Sequence, residues 1–393
     1  MMRIAVVAGE TSGDRLAAGL ISGLRRHCPD LQVEGVAGPR MIEAGCQPLY
    51  PLERLAVMGV VEVMKRYREL HGMRRRLIKH FLAHPPDVFI GVDAPEFNLD
   101  LELALREAGV RTVHYVSPQV WAWREGRLAK IAKAVGLMLT LFPFEEGYYQ
   151  RHGVAVRFVG HPLADEIPLE VDKKGLRESL GLPVEKTLVA LLPGSRANEW
   201  RYHTEPFIET ARWLHQRAPE VHFAVAAPST QGRQRFEEAL QRLGPELPVS
   251  LYDGQSREVI GASDVVLTVS GTATLETLLL KRPMVVAYRM GPLSYLIAKA
   301  LVRVPYIALP NLLAGRQVVP ELIQADVRPD RLGAEILDWL NQPQRVSALE
   351  GEFTRIHQTL RHNASEAAAE AVWEFVHGSL KDKELQVARY LGV

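Results

Sequence analysis

DVVLTVSGTATLETLLLKRPMVVAY, residues 264–288, sets two short apolar runs on either side of a segment with helical character. The run ending at Val269 shows no polar alternation, the pattern of a strand covered on both faces. Ser270-Gly271-Thr272 supplies small turn residues, and a helix is expected from about Ala273 to Leu280. Arg282-Pro283 ends it before the next run, Met284–Tyr288. Strand, helix and strand in succession form a parallel crossover unit.

The same rhythm extends in both directions. Strands are expected at Ile4–Ala8, Val33–Ala37, Val88–Val92, Val113–Val116, Gly136–Leu141 and Arg157–Gly160. The second half offers Thr187–Leu192, His222–Ala227, Val249–Tyr252, Val265–Val269, Met284–Tyr288 and Tyr306–Leu309. Apolar runs at helix-length spacing imply two doubly wound α/β domains with parallel sheets. A Pro-containing, charged stretch places the linker near residues 162–172. The reading is a domain at 1–165, a second at 172–350 and a helical tail at 351–393. In that tail, Ala368, Val372, Phe375 and Val376 share one helical face.

Composition narrows the class. The 393 residues are 47% hydrophobic and 24% charged with a formal net charge of +1, an ordinary globular balance that does not point to nucleic acid. Cys28 and Cys46 give neither a disulfide framework nor zinc spacing. The opening MMRIAVVAGE reads as a first strand rather than a signal peptide, and no run of apolar residues is long enough to span a bilayer.

Two strand-to-helix turns in the second half suit an anion. At Ser270-Gly271-Thr272-Ala273-Thr274, free backbone N–H groups and the helix dipole favour negative charge. Glu276 lies one turn beyond Thr272, where a carboxylate can accept bonds from ribose hydroxyls while a diphosphate sits at the helix tip. Helix capping by Ser270 explains the segment equally well when it is taken alone. LLPGSRANE (191–199) repeats the design: Gly194 permits close approach, Ser195 can donate, and Arg196 can fork onto phosphate. PNLLAGRQVVPELIQ (310–324) adds Asn311, Arg316, Gln317 and Glu321 around a glycine turn, with ordinary loop chemistry as the alternative.

In the first half, GVDAPEFN (91–98) sets Asp93 at the end of a buried run, where a carboxylate can act as a general base or merely hold a turn. AGETSGD (8–14) brings Glu10, Ser12, Gly13 and Asp14 to the end of the first strand as acceptor-binding candidates, or as caps of the next helix. HYVSPQVWAWR (114–124) adds Trp121, Trp123 and Arg124, the last a candidate for an acceptor phosphate. No G-x-G-x-x-G, phosphate-loop, H-E-x-x-H or G-x-S-x-G motif occurs, nor a D-x-D that would hold a metal under a diphosphate. The expected mechanism is therefore metal-independent, with no metal site and no cofactor.

AGETSGD, GVDAPEFN, HYVSPQVWAWR, GHPLAD, LLPGSR, SGTATLE, PMVVAYRM and PNLLAGR, in this order, resemble the bacterial lipid-A-disaccharide synthase family over roughly residues 3–378. The resemblance implies a GT-B fold: two Rossmann-like domains facing a central cleft, with the C-terminal helix returning to the N-terminal domain. It implies an inverting transferase that moves 2,3-diacylglucosamine from UDP-2,3-diacylglucosamine to the 6-hydroxyl of 2,3-diacylglucosamine 1-phosphate (lipid X). The products are a β-1,6 disaccharide 1-phosphate and UDP; the UDP-sugar is a substrate. Asp93 matches the family's candidate base, and Arg196, Glu276 and Asn311 match positions tied to activity or UDP binding. Thr11 and Glu96 replace the commoner Ala and Asp of the family pattern without disturbing Asp93.

Acylated, anionic substrates imply peripheral attachment to the cytoplasmic face of the inner membrane. LAVMGVVEVMKRYRELHGMRRRLIKH (55–80) offers Val57, Met58, Val60, Val61, Val63 and Met64 for the interface. Lys65, Arg66, Arg68, Arg74, Arg75 and Arg76 would meet phosphates; an amphipathic helix with a solvated basic face is the alternative. Oligomeric state stays open, a homodimer included. A UDP-N-acetylglucosamine 2-epimerase and a non-enzymatic UDP-sugar sensor are the competing readings.

Overall fold

The computed structural model describes residues 2–55, 60–123, 125–227 and 229–378, with backbone alone at 60–67, 123, 125 and 197. It divides into two compact units. One comprises residues up to Asp165 together with those from Leu360 on; the other is Glu166–Thr359.

The first unit is a sheet of β1 (Arg3–Ala8), β2 (Gln32–Ala37), β3 (Cys46–Pro51), β4 (Val88–Val92), β5 (Arg111–Tyr115), β6 (Leu137–Thr140) and β7 (Val156–Phe158). Its order is β3-β2-β1-β4-β5-β6-β7, and every neighbouring pair is parallel. The order reverses between β1 and β4, whose last residues Ala8 and Val92 are register partners. In such sheets the crevice at the carboxyl ends beside that reversal is where ligands bind.

Helices cover both faces. Ile4 and Val6 of β1 pack with Leu20, Ile21 and Leu24 of α1 (Thr11–His27) and with Ala368 and Val372 of the C-terminal helix Ala364–His377. That helix returns to the first unit, and α1 makes room for it. A Cβ at Gly19 would come within 2.2 Å of Ser365 Oγ, and one at Gly23 within 2.6 Å of the Ala369 Cβ. A short α2 (Pro39–Glu43) follows β2. On the opposite face, Val7 and Phe89 meet Met73, Leu77 and Phe81 of α3 (Val60–Ala83) and Phe97 and Leu101 of α4 (Pro95–Glu107).

The second unit repeats the plan with β8 (Leu188–Leu192), β9 (His222–Ala227), β10 (Val249–Asp253), β11 (Val265–Val269), β12 (Met284–Tyr288) and β13 (Glu321–Ile323). They are ordered β10-β9-β8-β11-β12-β13 and all parallel, with the reversal between β8 and β11. Both units are the doubly wound α/β structures that the apolar runs imply. Three segments differ from expectation. β3 and β13 were not anticipated, whereas Tyr306–Leu309 is no strand: its last residue begins a helix, Leu309–Ala314. No helix among the described residues is long and apolar enough to cross a membrane.

Candidate functional site

Both anion-suited turns of the second unit stand at its switch point, because LLPGSR follows β8 and SGTATLE follows β11, with Leu192 and Thr268 in register. Gly271, exposed and at φ 155°, leads the helix Thr272–Leu279, whose first N–H groups point out of its tip. Thr272 is exposed and Ala273 half-buried. Two hydroxyls expected at the ligand are spent on the protein. Ser270 Oγ donates to the Ile307 carbonyl at 2.7 Å, and the buried Thr274 donates to the Gly271 carbonyl at 2.8 Å. Glu276 keeps its place on the helix, and its Oε1 accepts a bond of 2.9 Å from Arg257 Nε.

At the other turn, Gly194 has φ 123°, and a Cβ there would meet that of Glu199 at 2.4 Å, so only glycine fits. Glu199 is a residue the sequence reading missed. Its Oε2 accepts from the N–H groups of Ser195 (2.8 Å) and Arg196 (3.2 Å), while Oε1 pairs with Arg196 Nη1 at 3.0 Å. A carboxylate of the chain thus occupies the start of the helix Ala197–His215, where a phosphate was expected, and Arg196 remains 75% exposed.

Asn311 departs from expectation. Its side chain is fully buried and makes four bonds. Oδ1 accepts from the N–H groups of Val318 (2.7 Å) and Val319 (3.0 Å), and Nδ2 donates to the Val319 carbonyl (3.0 Å) and to Glu321 Oε1 (2.7 Å). Glu321 in turn accepts from the N–H groups of Ile307 and Ala308. Asn311 therefore holds the loop rather than touching a ligand, and the chain Asn311–Glu321–Ile307–Ser270 ties that loop to the SGT turn. Arg316 is exposed and lies 3.7 Å from Glu352.

In the first unit, AGETSGD and DAPEFN flank the β1/β4 reversal and touch. A Cβ on Gly9 would fall 2.2 Å from that of Ala94. Asp93 and Ala94 are both left-handed, at φ 54° and 45°, and Pro95 opens α4. Asp93 is half-buried; its N–H donates to the Tyr115 carbonyl and its Oδ1 accepts from the Ala94 N–H at 2.9 Å. Asn98 Nδ2 pins the turn by donating to the carbonyls of Asp93 (2.8 Å) and Val7 (3.2 Å). Glu10 and Ser12 are exposed at the start of α1, and Gly13 packs on Val92. Asp14 corrects the reading. Buried, its carboxylate accepts from the N–H groups of Gly38, Arg40 and Met41, each at 3.0 Å, and so caps α2 instead of meeting an acceptor.

Two buried acid pairings stand behind this edge, and no motif announces either. Glu102 of α4 and His114 of β5, both fully buried, meet at 2.7 Å and lock α4 to the sheet; burial raises the Glu102 carboxyl above its ordinary value. Glu145 accepts from Trp121 Nε1 (3.1 Å) and the Phe142 N–H (3.1 Å), and burial pushes its carboxyl up to about 7.

Of the expected interface residues, Val57 and Met58 lie outside the described residues, as do Arg124 and the segment 379–393. Val60, Val61, Val63, Met64, Lys65 and Arg66 are described only as backbone of α3. Arg68, Arg75 and Arg76 are exposed. Arg74 differs: it pairs with Asp100 at 2.7 Å and donates to the Glu96 carbonyl, so it binds α4 rather than presenting its charge outward.

The fold is matched at low identity by UDP-GlcNAc 2-epimerase from Neisseria meningitidis bound to UDP-GlcNAc, with a TM-score of 0.65 and 14% identity over 95% of this chain and 100% of that one. The glycotransferase of kitacinnamycin aligns at a TM-score of 0.61 and 17% identity over 95% and 99% of the two chains. Sequence relatives are far nearer. Lipid-A-disaccharide synthase of Hahella chejuensis is 51% identical over 95% of this chain and 94% of its own length. That of Pseudomonas syringae is 52% identical over 94% and 96%. The family profile described as lipid-A-disaccharide synthetase matches residues 4–375. With two parallel-sheet units, each presenting its motifs at a switch point, and half of all residues shared with these relatives, the chain belongs to the lipid-A-disaccharide synthase family, glycosyltransferases of lipid A biosynthesis.

Proposed function

We propose that the donor is UDP-2,3-diacylglucosamine and that the acceptor is the 6-hydroxyl of 2,3-diacylglucosamine 1-phosphate. The supporting observation is the pair of turns, Gly194–Arg196 and Ser270–Thr272, side by side at the reversal of one sheet. The acceptor oxygen bonds to the anomeric carbon as the bond from that carbon to the diphosphate breaks with its electron pair. Asp93 takes the hydroxyl proton. Displacement from the opposite face inverts the anomeric centre and gives the β-1,6 linkage. The N–H groups ahead of Thr272–Leu279 and the Arg196 guanidinium meet the charge growing on UDP, so protein groups alone neutralise it.

Because both substrates are acylated, the enzyme works as a peripheral protein on the cytoplasmic face of the inner membrane, with the segment around the start of α3 among its contacts. Mass spectrometry after incubation with both substrates, with and without a chelator, tests the reading. A disaccharide 1-phosphate plus UDP in both samples is expected. Intact UDP binding without that product, or epimerisation of UDP-N-acetylglucosamine, would overturn it.

A further inference from the structure

A second candidate interface lies in the other unit, where a helix is turned inside out. Pro292–Leu301 has no buried residue, and Leu293, Leu296 and Ile297 are the three most exposed large apolar side chains among the described residues. Leu293 is 73% exposed, Leu296 64% and Ile297 53%, and Leu301 and the following Val302 continue the patch. At 100° per residue, Leu293, Leu296, Ile297, Ala300 and Leu301 fall within one outward arc, while Tyr295 and Ala298 face the unit. A water-facing helix normally shows the reverse order.

The charge carried by this stretch of chain itself has one sign. Between Glu276 and Glu321 the chain holds no Asp or Glu, while Arg289, Lys299, Arg303 and Arg316 are exposed. Pro292 also borders a pocket of about 510 Å³ to which Arg201 and Arg289 contribute, with Glu205 the carboxylate on its wall. Glu205 is itself paired with Arg242.

We propose that Pro292–Leu301 is a lipid-docking element: its apolar face enters the interface of an anionic bilayer while Arg289, Lys299 and Arg303 meet the headgroup phosphates. An amphipathic helix lying in the interface needs an apolar stripe flanked by cations, and this helix has both. An anionic membrane meets the apolar face and the flanking cations at once. The inference rests on the reading that the substrates are lipids, and it adds a contact on the unit assigned to the nucleotide.

The test uses the full chain carrying Ile297→Cys in a Cys28→Ser background, since Cys46 is buried. An environment-sensitive fluorophore on position 297 should shift to the blue with phosphatidylglycerol–phosphatidylethanolamine vesicles, be quenched by nitroxide lipids, and respond little to phosphatidylcholine. In parallel, Leu293→Ser/Leu296→Ser/Ile297→Ser should partition onto the same anionic vesicles at least ~10-fold more weakly. It should keep its turnover on detergent-dispersed substrates. A label indifferent to anionic vesicles overturns the proposal. So does a blue shift without lipid that grows with protein concentration, which would assign the face to a second copy. Loss of turnover in the unsubstituted protein would strike at the assigned reaction and leave the fluorescence result standing.

Discussion

Asp93 sits where a non-glycine residue is strained. It and Ala94 occupy left-handed backbone in succession, at a cost of about 1–3 kcal/mol each, held by Asn98 and by the fit of Ala94 against Gly9. Asparagine tolerates that region, so Asp93→Asn should fold normally, with an unchanged circular dichroism spectrum and melting temperature. We expect its turnover to fall about 10²–10⁴-fold; near-normal turnover would remove the base assignment. Glu145 gives a second prediction. Its folded value of about 7 lies above the ordinary 4.5, so the unfolded chain releases this proton first as pH rises. Glu145 therefore lowers stability progressively between about 4.5 and 7, by about 3 kcal/mol once above that window. In Glu145→Gln the urea midpoint should change less between about pH 5 and pH 8 than in the parent; equal slopes would refute the assignment. Residues at this scale were only half legible. The strand-ending positions of Asp93 and Gly271 follow from the pattern of apolar runs. That Asp14 and Asn311 bond to backbone does not, because their partners Gly38–Met41 and Val318–Glu321 become neighbours only through turns that no local spacing specifies.

Elements were read best where burial is uniform. The strands beside both switch points are continuous apolar runs, and their positions follow from that alone. β3, CQPLYP, carries two prolines and polar residues because it is an edge strand, where lost ladder bonds are tolerated. β13 is three residues long, too short to show a period. Tyr306–Leu309 is apolar yet not a strand, because Glu321 takes the N–H groups of Ile307 and Ala308 that a ladder would use. This tether predicts the effect of Asn311→Ala. Four hydrogen bonds disappear from a fully buried position, so the second unit should lose about 2–4 kcal/mol in a denaturant melt. UDP affinity should weaken with it as Ser270 loses its anchor at Ile307. Unchanged stability would return Asn311 to the ligand.

Across the whole molecule, the second unit is an insertion in the first. The chain leaves at Asp165 and comes back at Leu360, and both crossings are fastened in the first unit. The His161 N–H donates to the Leu360 carbonyl, and the Asp165 carboxylate accepts from the N–H groups of Asn363 and Ala364. Deleting residues from Leu360 on should leave the second unit with cooperative unfolding while the first loses the partner of α1. A single transition at the parent temperature for both units would contradict this.

The same arrangement sets an order on synthesis. Leu20, Leu24 and the glycine face of α1 leave the ribosome well before Ala368 and Val372, which cover them. At about 5–20 residues per second, the intervening Glu166–Thr359 takes on the order of 10–40 s to make. For that interval the nascent first unit carries an open apolar seam, so chaperone dependence and aggregation during expression should concentrate on α1 rather than on the unit made second.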